Sequence, residues 1–195
     1  ASADRRWLVR LSPQSEDARL LLELEERSEL GHASRMSGSP YSTAHELLDG
    51  KRTDVIGGLV GAYALTKSMY TEDRLARADQ LIARLYAYEA SNKVEAWLPD
   101  AAILHAERAA ARGRFDEAAD AMVRAAELGV PMFREGIQRA FGLVAKLTAM
   151  NVDVDALFEV GRRFDRVWSW VDRREQLTTI RAPASEAVDG LPPSQ

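Results

Sequence analysis

Gly113-Arg114-Phe115-Asp116-Glu117-Ala118 is the stretch that decides the fold. A glycine permits a tight turn. An aromatic follows two residues on. Two acids come next, suited to the positive end of a helix dipole. Ala118 is small enough to let a neighbouring helix approach closely. Upstream, a helix opened by Pro99 and running to about Arg112 carries Ala102, Ala106 and Ala109 at helical spacing. Downstream, Phe115 to Leu128 carries Met122 and Ala125, and Pro131 opens the next segment. The stretch therefore joins two antiparallel helices packed on each other through small residues.

Working outward, the same grammar recurs. Towards the C-terminus, a helix running to about Met150 carries Phe133, Ile137, Phe141, Val144 and Leu147. Asn151-Val152-Asp153 reads as a turn with Asp153 as N-cap. A last helix runs from Val154 to at least Val171, with the stripe Val154, Leu157, Phe158, Phe164, Val167, Trp168, Val171. Towards the N-terminus, Thr71-Glu72-Asp73 opens a helix to about Glu89, with the stripe Leu75, Ala78, Ile82, Leu85. Before it lies a helix over about residues 53–70. There Gly57 and Gly61 share a face on which another helix can approach. Two glycines in a helix cost roughly 1 kcal/mol each against Ala, which a close packing contact would offset. Thr43-Ala44-His45-Glu46 has capping-box spacing for a short helix closed by Gly50. Residues 32–41 read as a loop, and Ser12-Pro13 starts a helix to about Leu30. Trp7-Leu8-Val9-Arg10-Leu11 is an extended segment docking on helices. The expected architecture is all-α, with stacked antiparallel helix pairs over 51–180. An extended segment and capping helices precede it over 1–50, and a disordered tail follows over 181–195.

The unit from Ala101 to Pro131 resembles a tetratricopeptide repeat. It has the Gly turn, the aromatic and the acids. Ala118 stands at the helix crossing, Met122 in place of a larger aromatic, Ala125 three residues later, and a Pro begins the next unit. The pairs on either side fit less closely. Leu75, Ala78, Ile82 and Leu85 match the spacing of Phe115, Ala118, Met122 and Ala125, with an insertion placed around residues 89–97. The pair after Pro131 lacks the Gly-aromatic-acid turn. The resemblance implies a short solenoid that recognises a protein or peptide partner. A related helical-hairpin solenoid is the alternative. Tyr63, Lys67, His105, Arg108, Arg112 and Arg134 are then candidate groove positions. Their cationic character suits an acidic peptide or a C-terminal carboxylate.

A second resemblance concerns context. Leu98-Pro99-Asp100, and Gly129-Val130-Pro131-Met132-Phe133-Arg134-Glu135-Gly136, are similar to helical regions attached to bacterial caspase-like (CHAT) peptidase domains. It implies a sensory or regulatory region of a larger effector.

Composition limits the chemistry. The chain has 195 residues, 46% of them hydrophobic, no Cys and a net charge of −4. A length near 200 supports a real core. Without Cys there is no disulfide scaffold, Cys-ligated zinc, Fe–S cluster or thiol nucleophile. Ala is abundant, and Lys51, Lys67, Lys93 and Lys146 are the only lysines among 26 basic residues. That bias fits a GC-rich bacterial genome. The longest apolar run, residues 55–65, is well short of the ~18–20 residues that span a bilayer, so a soluble, cytoplasmic protein is expected. Met removal, a tag remnant, signal cleavage or excision from a longer protein would each explain a start at Ala1.

No nucleotide-binding glycine fingerprint or serine elbow occurs. The glycines around Gly57 lie in an apolar run with no terminal Lys, which favours packing over phosphate binding. His45 and Asp49 could share a helix face, but a metal needs a third ligand. His105 lies among small apolar residues, where a satisfied, half-buried histidine is the usual outcome, and His32 lies in a loop. An enzyme acting through His45 or His105 is the least favoured alternative, and no cofactor is implied. In the last helix Arg162, Arg163, Arg166, Arg173 and Arg174 surround Trp168 and Trp170. Asp165, Asp172 and Glu175 dilute the charge, which disfavours nucleic acid. Trp170 beside Arg has the composition of a protein-interface anchor.

Overall fold

The computed structural model of the chain describes residues 46–47, 55–67, 72–91, 98–171 and 178. The segment expected at 7–11, the helix at 12–30, the loop at 32–41, the tail, His32 and His45 all lie outside the described residues. Six helices are described: α1 (Val55–Lys67), α2 (Glu72–Ser91), α3 (Pro99–Ala111), α4 (Phe115–Leu128), α5 (Arg134–Ala149) and α6 (Val154–Trp168). No strand occurs among the described residues, so the fold is all-α. The chain divides into two compact units, Ala1–Ala78 and Asp79–Gln195, with the division falling inside α2.

In the first unit, residues 57–65 of α1 are buried on every face. The sequence explains this, since the helix is apolar all round and has no polar side to give to water. Gly57 and Gly61 are both buried, as close packing requires. Near the end of α1, Thr66 Oγ1 donates to the carbonyls of Ala62 and Tyr63, at 3.1 and 3.0 Å.

In the second unit, α3 packs along α4 and α5 along α6. The first helices of the two pairs, α3 and α5, also pack together, as do the second helices, α4 and α6. Two hairpins therefore stack in two layers. The core is small-residue packing: Ala102, Ala106, Ala109, Ala118, Ala125 and Ala140 are each 0% exposed, with Met122, Ile137, Leu147 and Leu157 between them. Alanines at a helix crossing permit an interaxial distance near ~8 Å.

Both hairpins are closed by the same device. Arg114 N–H donates to Ala109 O at 3.0 Å and Gly113 N–H to Ala110 O at 3.2 Å, with Gly113 at φ +75°. After α5, Val152 N–H donates to Leu147 O at 3.1 Å and Asn151 N–H to Thr148 O at 2.9 Å, with Asn151 at φ +60°. This is the Schellman pattern, with a left-handed residue just past the helix end. The second hairpin lacks the expected Gly-aromatic-acid signature but makes the same turn, because Asn tolerates the left-handed region.

Two sequence expectations change. Asp153 stands at the N-cap of α6, but its side chain makes no capping bond. Its backbone is left-handed (φ +33°), and its carbonyl accepts from Leu157 N–H at 3.0 Å. The last helix stops at Trp168, short of Val171. Ser169 Oγ donates to Arg166 O, and the N–H groups of Trp170 and Val171 donate to carbonyls three residues back. That tightening ends the helix and turns Val171 inward, where it is 7% exposed.

Candidate functional site

The polar residues of α3 emerge only where the helix leaves the core. Residues 98–106 are all buried, and His105, Arg108 and Arg112 then recur along one face. That face meets the part of α2 from Asp79 onward and the start of α4. Asp79 of α2 is 9% exposed and collects both arginines. Its Oδ1 accepts from Arg108 Nε. Its Oδ2 accepts from Arg112 Nε at 2.5 Å and from a second Arg108 nitrogen at 3.4 Å.

His105 sits beside this pair. Its ring stacks on Tyr86 of α2, with centroids 4.4 Å apart and planes 11° from parallel. Its Nε2 lies 2.9 Å from Glu117 Oε1, and the other Glu117 oxygen lies 2.9 Å from Arg114. Burial pushes the His105 pKa down, because a charged ring is poorly solvated there. Glu117 and Asp79 oppose that shift and Arg114 adds to it, but burial prevails. The neutral ring then donates Nε2–H to the Glu117 carboxylate. Burial also raises the Tyr86 pKa; Arg124 opposes this, and Asp120 and Glu117 reinforce it.

Two further polar networks join the hairpins. Asp100, 0% exposed, accepts the Met132 N–H at 2.6 Å and the Phe133 N–H at 3.2 Å. The two motifs singled out in the sequence, around Leu98 and around Gly129, therefore meet through one carboxylate. Arg139 of α5 holds Glu135 on its own helix at 2.5 Å and Glu107 of α3 at 2.6 Å. Burial works against the Arg139 charge, but the two glutamates more than offset it, and its pKa is raised.

The expected groove positions divide between the two units. Tyr63 lies in the first unit and is 1% exposed, so it is not a surface position; α1 has no face turned to solvent. Lys67 ends α1, and its side chain lies outside the described residues. His105, Arg108 and Arg112 do come together. His105 Nε2 is engaged with Glu117, and Arg108 and the Nε of Arg112 with Asp79, while the Arg112 side chain stays 45% exposed. Arg134 is half-buried at the start of α5. Trp170 is half-buried past the end of α6 rather than on it.

The sequence reading missed Asp79, Asp100 and Arg139 as network centres, because the partners that join them to other helices are 29 to 33 residues distant. It also misplaced Phe158 in the core stripe. Phe158 is 67% exposed, and Val154 and Met150 are exposed at 38% and 45%. The buried line of α6 is Leu157, Val160 and Phe164. Phe158 lies roughly 130° around from its centre at 100° per residue, so a helical wheel could have found it. Around it α6 exposes Asp155, Glu159, Arg162, Arg163 and Arg166.

Among the described residues, no group of three or more His, Asp or Glu is placed to hold a metal ion, and no helix is long and apolar enough to cross a membrane. No curated protein and no solved structure matches the chain. A family described as the Y4kD C-terminal domain matches residues 20–178, which takes in both hairpins, the α3 cluster and the exposed face of α6. Over that span, the chain belongs to the Y4kD C-terminal domain family.

Proposed function

We propose that this chain is a non-catalytic helical module that works by protein–protein contact. In kind it is a short stack of helix pairs such as tetratricopeptide repeats form. The observation that carries the reading is Phe158, a large aromatic side chain 67% exposed in the middle of α6 and one turn from exposed Val154. Leaving such a side chain in water forgoes about 2 kcal/mol of burial, and an exposed aromatic with an arginine, Arg162, one turn away has the composition of an interface anchor. The engagement of His105, Arg108 and Arg112 with Tyr86, Glu117 and Asp79 supports a structural role for them over a chemical one.

The family description as a C-terminal domain favours a module carried behind other segments of a longer protein; the Ala- and Arg-rich composition is in keeping with a bacterial source, and the same reading places that protein in the cytoplasm. Regulation of an attached catalytic domain, a caspase-like peptidase included, is one form of this reading. Reading the upstream frame tests that form.

The test of the contact itself is a photo-crosslinking amino acid at Phe158, compared with one at Asp120 on the exposed side of α4. Crosslinking in the cell of origin is expected at 158 and not at 120. Absence of any protein adduct at 158 removes the reading.

A further inference from the structure

The charges around Phe158 say what kind of surface fits it. Along the flank of α6 next to Phe158 and Val154, four side chains follow in the order Asp155, Glu159, Arg162, Arg166. All four are exposed, acids in the N-terminal half and bases in the C-terminal half. Spacings of four, three and four keep them on one side of the helix. Two antiparallel copies of such a helix, related by a two-fold axis, bring the same flank of each together. Asp155 then faces the second copy's Arg166, and Glu159 faces the second copy's Arg162. Both pairs are symmetric about the same point, between Val160 and Gly161, so one register pairs these four charges of each copy, while Asp165, also exposed on the Phe158 side of α6, gains no basic partner in it. A parallel arrangement would set acid against acid and base against base. The same register brings the Phe158 side chains of the two copies close to each other across the axis.

Within one copy these charges are only loosely committed. Glu159 lies 3.6 Å from both Arg162 and Arg163, beyond hydrogen-bond length, and all three side chains are more than half exposed. Exposed pairs of this kind contribute little and re-pair readily.

We infer that α6 docks antiparallel on α6 of a second copy of this chain, with Val154 and Phe158 forming the seam and Asp155–Arg166 and Glu159–Arg162 pairs flanking it. This names the partner of the docking face proposed above and rests on that reading. The patch is small, so the dimer belongs among the weak ones. It forms and dissociates over the micromolar range.

Sedimentation equilibrium of the full chain across that range tests the pairing. Wild type is expected to be a reversible dimer. Phe158→Glu and Val154→Glu each weaken it at least tenfold, and an unchanged thermal midpoint excludes unfolding, because both side chains are exposed. Glu159→Arg and Arg162→Glu each weaken self-association, since each sets like charges across the axis. Mixing those two variants restores dimerisation to within about threefold of wild type, because the mixed pair has both contacts complementary. A chain monomeric at 0.5 mM overturns the inference, as does a mixture that dimerises no better than its components. A monomeric chain that still crosslinks to another protein at Phe158 overturns self-pairing alone and leaves the docking face standing.

Discussion

Asp100 accepts two backbone N–H groups at the entrance to α5 while contributing from α3, fully out of water. Each buried donor that loses its acceptor costs about 1–3 kcal/mol. Asp100→Ala is therefore expected to lower the unfolding free energy by about 3 kcal/mol in urea titration. Asp100→Asn keeps an acceptor oxygen and should lose less. Equal losses in the two variants would mean that the carboxylate's charge, not its bonds, is what matters. His105 gives a pH signature. Its pKa is lowered in the fold, so the unfolded chain takes up the proton more readily. The stability contributed by the neutral ring is complete above the unfolded value of about 6.5 and is lost as pH falls through the lower folded value. The Tm of wild type should therefore fall more between pH 7.5 and 5 than that of His105→Gln. Parallel pH profiles for the two would contradict this. The sequence offered His105 as a groove position or as a satisfied buried or half-buried histidine; in the structure it is 8% exposed, and Tyr86 and Glu117 are the groups against it. Those groups, Tyr86 and Glu117, come from two other helices, and nothing local to residue 105 names them.

Helix α3 ends where Gly113 takes a left-handed conformation, and no atom lies within 4 Å of where a side chain there would start. Space is free at this position and only the backbone is strained, so the substitution series is clean. Gly113→Asn should cost little, because Asn151 does the same task at the end of α5. Gly113→Val should cost about 1–2 kcal/mol, since a branched residue resists that conformation. Urea unfolding of the pair measures the difference, and equal values would remove the turn's claim to matter. Across the α3–α4 crossing, Ala118 is 0% exposed among other alanines. Ala118→Leu should destabilise by about 1–3 kcal/mol through overpacking, despite its better apolar character; a more stable variant would show slack in the seam. At this scale the sequence was most informative. The bounds of α3 and α4 agree with expectation to within about one residue, because Pro99, Gly113 and Gly129 are local signals, whereas α5 begins only at Arg134, later than the segment that Pro131 opens. The end of α6 was not foreseen. Ser169 and the turn after it act through bonds that compete with the helix, while the apolar pattern runs on to Val171.

In the second unit, protection should follow depth. α3 is enclosed by helices on most sides, whereas α6 turns about half of its surface to solvent. Native-state hydrogen exchange is expected to be slowest at α3 amides and faster by an order of magnitude or more along the outer face of α6. Comparable rates in the two helices would mean that the unit opens as one piece. The sequence alone determined that the described part of the chain is helical, where most of its helices begin, and that small residues would sit at their crossings. Each of those follows from propensity, capping and periodicity, which act within a few residues. It could not determine which polar groups would meet, because Asp79 with Arg108 and Asp100 with Met132 join across about thirty residues through the stacking of hairpins. Nor could composition say which large apolar residue stays outside. Leu157 and Phe158 are neighbours of similar hydrophobicity. Only the direction from which α4 and α5 cover α6 decides that one is buried at 0% and the other left 67% exposed.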